Sequence, residues 1–318
     1  MTSTGAPTVS PPSPTSAMLQ KFTSSWERRA QVKRSGVLDV PFQPALPDFL
    51  PHLLPPTLAS ELDALAPAER SRLLSYGWMA FNQKAIDVEH HVLVPACLRL
   101  LEQATEAGEQ VAVEAVSQAM VDEAYHIYLV RQANQRTLEE RGLSAPDFPL
   151  SRTVERMREH QARHPAARQR DLTVIGAAIV TEVFIKGYLG ELSQAEGVQP
   201  LSVLTTRAHL ADEAVHSSVF LLLAEQVYGG LPEHERDFFT EVLIRAMSWF
   251  PDPELAVWEV AIRAAAVEGG ERLIQRCWQC PPPEVDYAEL SAFLRRVGVG
   301  DVERHLARLH AAEVNLPS

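Results

Sequence analysis

The chain has 318 residues, 46% of them hydrophobic and 7% aromatic, and a formal net charge of −12. Its size and composition suit one large or two ordinary soluble globular domains, and acidity without a basic patch excludes a general nucleic-acid binder and reads as ordinary solubility. Three cysteines, Cys97, Cys277 and Cys280, are too few and odd in number for a disulfide framework and fit a reducing, cytoplasmic setting.

Met1 to about Ser16 is rich in Ser, Thr and Pro and lacks the basic start and apolar stretch of a signal peptide. Residues 1–40 are therefore expected to form a disordered tail, and residues 41–318 a single all-helical domain. Pro41 to Pro56 is Pro-rich and expected to wrap the surface in extended form. From Thr57 onward the apolar spacing is helical, with no convincing alternating strand.

A long helix is expected over 66–107, with Pro67 in its first turn, a kink at Pro95 and a stop at Gly108. Further helices are expected over 109–141, 151–163, 166–196 and 201–228, several of them ending at glycines. The spans 232–250, 253–278, 287–297 and 301–314 complete an all-α bundle. No run of about 18 apolar residues is free of charge, so no membrane span is expected. Cys277-x-x-Cys280 precedes Pro281-Pro282-Pro283. It lacks the second Cys pair of a zinc site and the strand–helix context of a redox motif, and is assigned no role.

The distinctive motif occurs twice: Asp122-Glu123-Ala124-Tyr125-His126 and Asp212-Glu213-Ala214-Val215-His216. Glu and His three apart share a helix face. Each motif follows a further Glu, Glu89 and Glu182, by 34 and 31 residues. At a rise of about 1.5 Å per residue, each helical hairpin then brings its two Glu to similar heights. Four Glu and two His pointing into a four-helix core is the ligand pattern of carboxylate-bridged two-metal bundles. Hard oxygens and imidazoles suit Fe or Mn.

Glu182 lies in the apolar run from Val174 to Ile185, where an unpaired carboxylate would be costly, so it must be protonated, paired or metal-bound. His90 and His91 follow Glu89 but point about 100° and 200° away from it, and are left out. Asp122 and Asp212 are candidates to accept the free ring N–H of a ligand His, fixing its tautomer. His209 lies four before Glu213, on the stripe that carries His216, and is a further candidate ligand. It would make one metal position richer in nitrogen.

With His209 the order becomes Glu, Glu-x-x-His, Glu, His-x-x-x-Glu-x-x-His. In this the chain resembles the ferritin-like di-iron arylamine N-oxygenases, over about residues 60–250. The resemblance maps the metal ligands onto Glu89, Glu123, His126, Glu182, His209, Glu213 and His216. It implies a ferritin-like bundle holding two Fe ions, with Mn as an alternative. It also implies O₂ as co-substrate and an external electron donor, supplied by a reductase. The expected reaction carries a small, aromatic amine, free or carrier-bound, to a hydroxylamine, nitroso or nitro product through a peroxo-diferric species. A homodimer and a place in specialised metabolism, such as antibiotic biosynthesis, are implied with it. Where the family has an Arg before the first ligand Glu, holding an aryl carboxylate, this chain has Lys84, with Phe81 one turn earlier. Lys84 keeps the charge and loses the bidentate fork.

The residues leave three other readings: a di-iron C-hydroxylase, a ferritin-like iron-binding protein without oxygenase activity, and a metal-free helical interaction protein. The last leaves Glu182 without a partner, and a storage subunit would be shorter.

Overall fold

In the computed structural model, which describes residues 13–280 and 287–313, every regular element is helical. The longer helices are α1 (Pro14–Thr23), α2 (Pro67–Val88), α3 (Val94–Glu106), α4 (Gln110–Arg141), α5 (Arg152–Ala162), α6 (Ala167–Ser193) and α7 (Pro200–Gly230). They continue as α8 (Glu233–Trp249), α9 (Leu255–Ala264), α10 (Gly270–Trp278), α11 (Tyr287–Val297) and α12 (Val302–Glu313). The Pro281–Pro283 run lies outside the described residues.

The expected 66–107 helix is present but interrupted. A π-helical turn, Glu89–Leu93, joins α2 to α3. Pro95 has no N–H for the carbonyl four residues back, and its ring crowds that carbonyl, so the ladder takes in an extra residue just before it. Glu89 opens this turn. α4 stops at Gly142, whose left-handed φ of 62° supports bonds from Gly142 N to Glu139 O and Leu143 N to Leu138 O.

Two expectations are corrected. The span 253–278 is two helices, because Ala266 and Gly269 both take left-handed backbone, with φ of 50° and 71°. Residues 13–40 are ordered rather than a tail. Ser13 Oγ caps α1, and Leu19, Trp26 and Ala30 are buried against the bundle. Composition alone hid this, because the polar residues between them mask a few well-placed apolar anchors. The extended stretch that follows is tethered by two arginines of α4. Arg136 donates to Leu38 O and Val40 O, and Arg141 to Pro44 O, Leu46 O and Asp48.

The core lies in two parts. One contains Val92, Leu93, Val116, Ile175, Val180 and Phe220; the other contains Trp78, Phe81, Ile185, Leu189, Leu201 and Trp258. Each of α2, α4, α6 and α7 contributes to both, so a polar layer on these four helices is enclosed by apolar packing on either side. α6 is long and apolar enough to cross a membrane, with mean hydropathy 1.6 over an 18-residue window, but 72% of that window is buried inside the protein. It is the central helix of the bundle, and α8 crosses it closely at Gly176, where a Cβ would lie 2.6 Å from Val242 Cγ1.

Candidate metal centre

The polar layer gathers the candidate ligands from all four helices. Glu89, Glu123, His126, Glu182, His209, Glu213 and His216 are each at most 1% exposed. They form two adjoining sets, Glu89–His126–His209 and Glu123–Glu182–Glu213–His216. Within each set, one ligating atom per residue lies within 4.8 Å of all the others. The first set has two nitrogens and one carboxylate, and the second one nitrogen and three carboxylates. The asymmetry expected from His209 is therefore present in the geometry.

Two carboxylates lie between the sets. Glu123 turns Oε1 to His216 Nδ1 at 2.8 Å and Oε2 to His126 Nδ1 at 3.5 Å. Glu213 Oε1 lies 3.2 Å from His209 Nε2, 3.3 Å from His126 Nδ1 and 3.6 Å from His216 Nδ1. Glu89 and Glu182 sit at opposite ends, Glu89 against His209 at 2.8 Å and Glu182 against His216 at 4.0 Å.

Both oxygens of all four glutamates lack a hydrogen-bond partner, as do His126 Nδ1, His216 Nδ1 and His209 Nε2. These are the atoms that face one another. Buried lone pairs at such distances repel unless protons or cations lie between them, and burying several unpaired carboxylates is costly. Two divalent ions would satisfy the whole set with oxygen and imidazole donors, so the residues fit a two-metal group.

The electrostatics of the protein alone express the same crowding. Burial, and then the neighbouring Glu213 and Glu123 charges, push the Glu182 carboxyl well above the usual carboxylate range. Burial would also raise Glu213, but His216, His126 and His209 together hold it well below that range. Burial would lower His126, yet its contacts with Asp212, Glu123 and Glu213 raise it well above an ordinary imidazole.

The ring nitrogens that point away from the layer are held by the two aspartates, in a crossed arrangement. His126 of α4 donates Nε2–H to Asp212 of α7 at 3.2 Å, and His216 of α7 donates Nε2–H to Asp122 of α4 at 3.1 Å. Each imidazole is thereby fixed in the tautomer whose Nδ1 lone pair faces the layer.

Three residues that sequence reasoning did not single out complete this shell. Trp26 Nε1 donates to both oxygens of Asp122 at 3.0 Å, and the Gln31 backbone N–H donates to Asp212 at 3.2 Å. The Arg29 guanidinium lies 3.6 Å from Asp212 and 4.0 Å from Asp122, between the two. No local motif could have revealed them, since Trp26 and Gln31 lie 96 and 181 positions from the aspartates they meet, and Arg29 is as remote. His90 is exposed, and His91 meets Arg158 at 3.1 Å instead of entering the layer.

Lys84 is apart from the ligands. It is buried on the wall of a cavity of about 590 Å³ lined also by Phe81, Gly187, Tyr188, Glu254, Trp258 and Cys277. Its ammonium meets the carbonyls of Phe250 and Asp252 and the carboxylate of Glu254.

A family model described as p-aminobenzoate N-oxygenase AurF matches residues 13–286. The 4-aminobenzoate N-oxygenase of Streptomyces thioluteus is 28% identical over 264 residues, covering 81% of this chain and 79% of its own. Among solved structures, an R2-like ligand-binding oxidase variant with an aerobically reconstituted Mn/Fe cofactor covers 90% of this chain and 92% of its own, at a TM-score of 0.38 and 13% identity. That is a loose geometric likeness.

Proposed function

The chain belongs to the p-aminobenzoate N-oxygenase AurF family of oxidoreductases, and on that premise we propose that it is an O₂-dependent di-iron enzyme that oxygenates the nitrogen of a small aromatic amine. Glu89, His126 and His209 would hold one ion and Glu123, Glu182, Glu213 and His216 the other, with Glu123 and Glu213 placed between the two sets. The observation that carries this reading is the set of partnerless buried ligand atoms on all seven residues, arranged as two adjoining sets.

When bound, the metal pair supplies the electrons and coordination positions for O₂ reduction. The remaining work falls to the chain. Asp122 and Asp212 keep His216 and His126 in the productive tautomer, and Trp26, Arg29 and Gln31 hold those aspartates in place. The apolar layers on either side exclude water from the reacting nitrogen. Converting an amine and O₂ to a hydroxylamine and water consumes two electrons and two protons, so an external donor belongs to the same proposal. So do a homodimer, a cytoplasmic setting and a role in specialised metabolism.

The test is metal analysis after iron-replete expression, followed by an arylamine panel with a reductant and O₂ and product masses. The expected result is about two Fe per chain and products oxygenated at nitrogen. Oxygenation only at carbon, or no Fe or Mn retained, would overturn the reading.

A further inference from the structure

The cavity beside Lys84 is bounded by α2 and α6; the candidate ligand Glu89, in the π-helical turn that continues α2, lies five residues along from Lys84, and Glu182 of α6 six from Tyr188. At about 1.5 Å per residue, that is roughly 8–9 Å along the helices, the length of a substituted benzene ring and its amine. Its walls are aromatic: Phe81 and Tyr188 stack at 4.2 Å, and Trp258 lies on the lining beside them. This suits a flat ring.

The charged groups on the wall decide what the ring can carry. An ammonium has three donors and accepts nothing. Those of Lys84 face the Phe250 carbonyl, the Asp252 carbonyl at 3.2 Å and Glu254 Oε1 at 3.6 Å. The remaining faces of the cation are covered by the rings of Phe250 and Tyr188, at 4.9 and 5.4 Å.

Glu254 is equally engaged. It accepts from Ser151 Oγ at 2.8 Å, Thr153 Oγ1 at 3.3 Å and the Arg152 backbone N–H at 2.6 Å. It is held in left-handed backbone at φ 54°, a conformation that costs a non-glycine residue and persists only where its surroundings fix it. Asp252 is paired with Arg156 at 3.0 Å. Among the described residues the lining therefore contains one cation and two carboxylates, and no other Lys, Arg or His.

We propose that this cavity is the substrate site and takes an uncharged arylamine lacking a free acid group, the Lys84–Glu254 pair forming a neutral wall and not an anion receptor. A carboxylate entering here would have to break that pair or be buried without a counter-charge, both unfavourable. The inference rests on the N-oxygenase reading for the word substrate, and on the cavity alone for the preference in charge.

The experiment uses the metal-loaded enzyme without reductant, so that binding is read without turnover. The probes are methyl 4-aminobenzoate and 4-aminobenzoate, which differ only in the acid group. By calorimetry the ester is expected to bind at least about ten-fold more tightly than the acid. Glu254→Gln leaves Lys84 with less opposing charge and should raise affinity for the acid about ten-fold.

A third arm locates the site. Gly187 lines the cavity and a Cβ there meets nothing within 4 Å, so Gly187→Leu adds bulk at the lining and should weaken the ester about ten-fold. It keeps the inference testable if the Glu254 variant does not fold. Equal or tighter binding of the acid by the parent overturns the proposal. So does an unchanged acid affinity in a folded Glu254→Gln protein, or an unchanged ester affinity in Gly187→Leu. If the ester binds as expected but the reduced enzyme never oxygenates its nitrogen, the N-oxygenase reading falls and the cavity assignment stands. If the acid alone binds and is N-oxygenated, the reverse holds.

Discussion

Asp122 and His216 meet at 3.1 Å although they belong to different helices and different copies of the repeated motif. Asp212 and His126 repeat the relationship at 3.2 Å. Each aspartate thus precedes, on its own helix, a glutamate that lies between the two sets and orients a histidine on the other, so α4 and α7 each depend on the other for the geometry of the layer. Asp122→Asn removes the acceptor charge that holds the His216 tautomer. It is expected to lower metal affinity about 10–100-fold, checked by competition with a chromophoric chelator.

Arg29 carries the positive charge between these two aspartates. Arg29→Met leaves two buried carboxylates with less compensation and should lower stability by about 3 kcal/mol, measured by urea denaturation at fixed metal loading. Trp26→Phe removes a neutral donor and keeps the ring's packing; a loss of about 1 kcal/mol is expected. The ranking is the test: an Arg29 effect no larger than that of Trp26 would mean the aspartates need no cation.

His209 belongs to the nitrogen-rich set with Glu89 and His126. His209→Ala leaves that set one nitrogen and one carboxylate. Metal content is expected to fall from about two ions to about one per chain, read by elemental analysis after gel filtration. Retention of both ions would remove His209 from the ligand set.

His160 is distant from the metal layer and sets a separate pH response. Burial, then the charges of His164 and Arg245, lower its pKa from 6.5 to about 4. It packs against Trp249 and meets Thr173 Oγ1. A base with a depressed folded pKa takes up its proton more readily when unfolded, so stability present above pH 6.5 is lost as the pH falls towards 4. His160→Phe should flatten that part of the stability–pH curve relative to the parent at matched metal loading. Parallel curves for the two proteins would sink the assignment.

Gly176 marks the close crossing of α6 and α8. Gly176→Ala forces Val242 aside in packed surroundings and should cost about 1–3 kcal/mol, despite alanine's better helix propensity. Adding Val242→Ala should restore part of that loss, and strict additivity in the double-mutant cycle would contradict the clash.

The all-helical class, the long helices near the observed bounds and the gathering of the seven candidate ligands were all legible in the chain. They rest on local periodicities: a helix repeats every 3.6 residues, so spacing alone puts Glu123 with His126, and His209 with Glu213 and His216, on common faces. Pro95 likewise announced a kink in the long helix, though not the π-helical turn over Glu89–Leu93. Over residues 13–40 the expected tail gives way to ordered structure because Trp26, Arg29 and Gln31 acquire meaning only against Asp122 and Asp212, which lie far away in sequence.

Lys84 shows the same division. The family resemblance implied a cation near a substrate, and the structure places Lys84 on a cavity wall. Its counter-charge, Glu254, comes from a segment 170 residues later. Spacing along one helix determined which groups share a face. Packing between helices decided which nitrogen each aspartate holds, which charges are already matched and which remain for a ligand, because those are fixed by distances across the fold that no local repeat encodes.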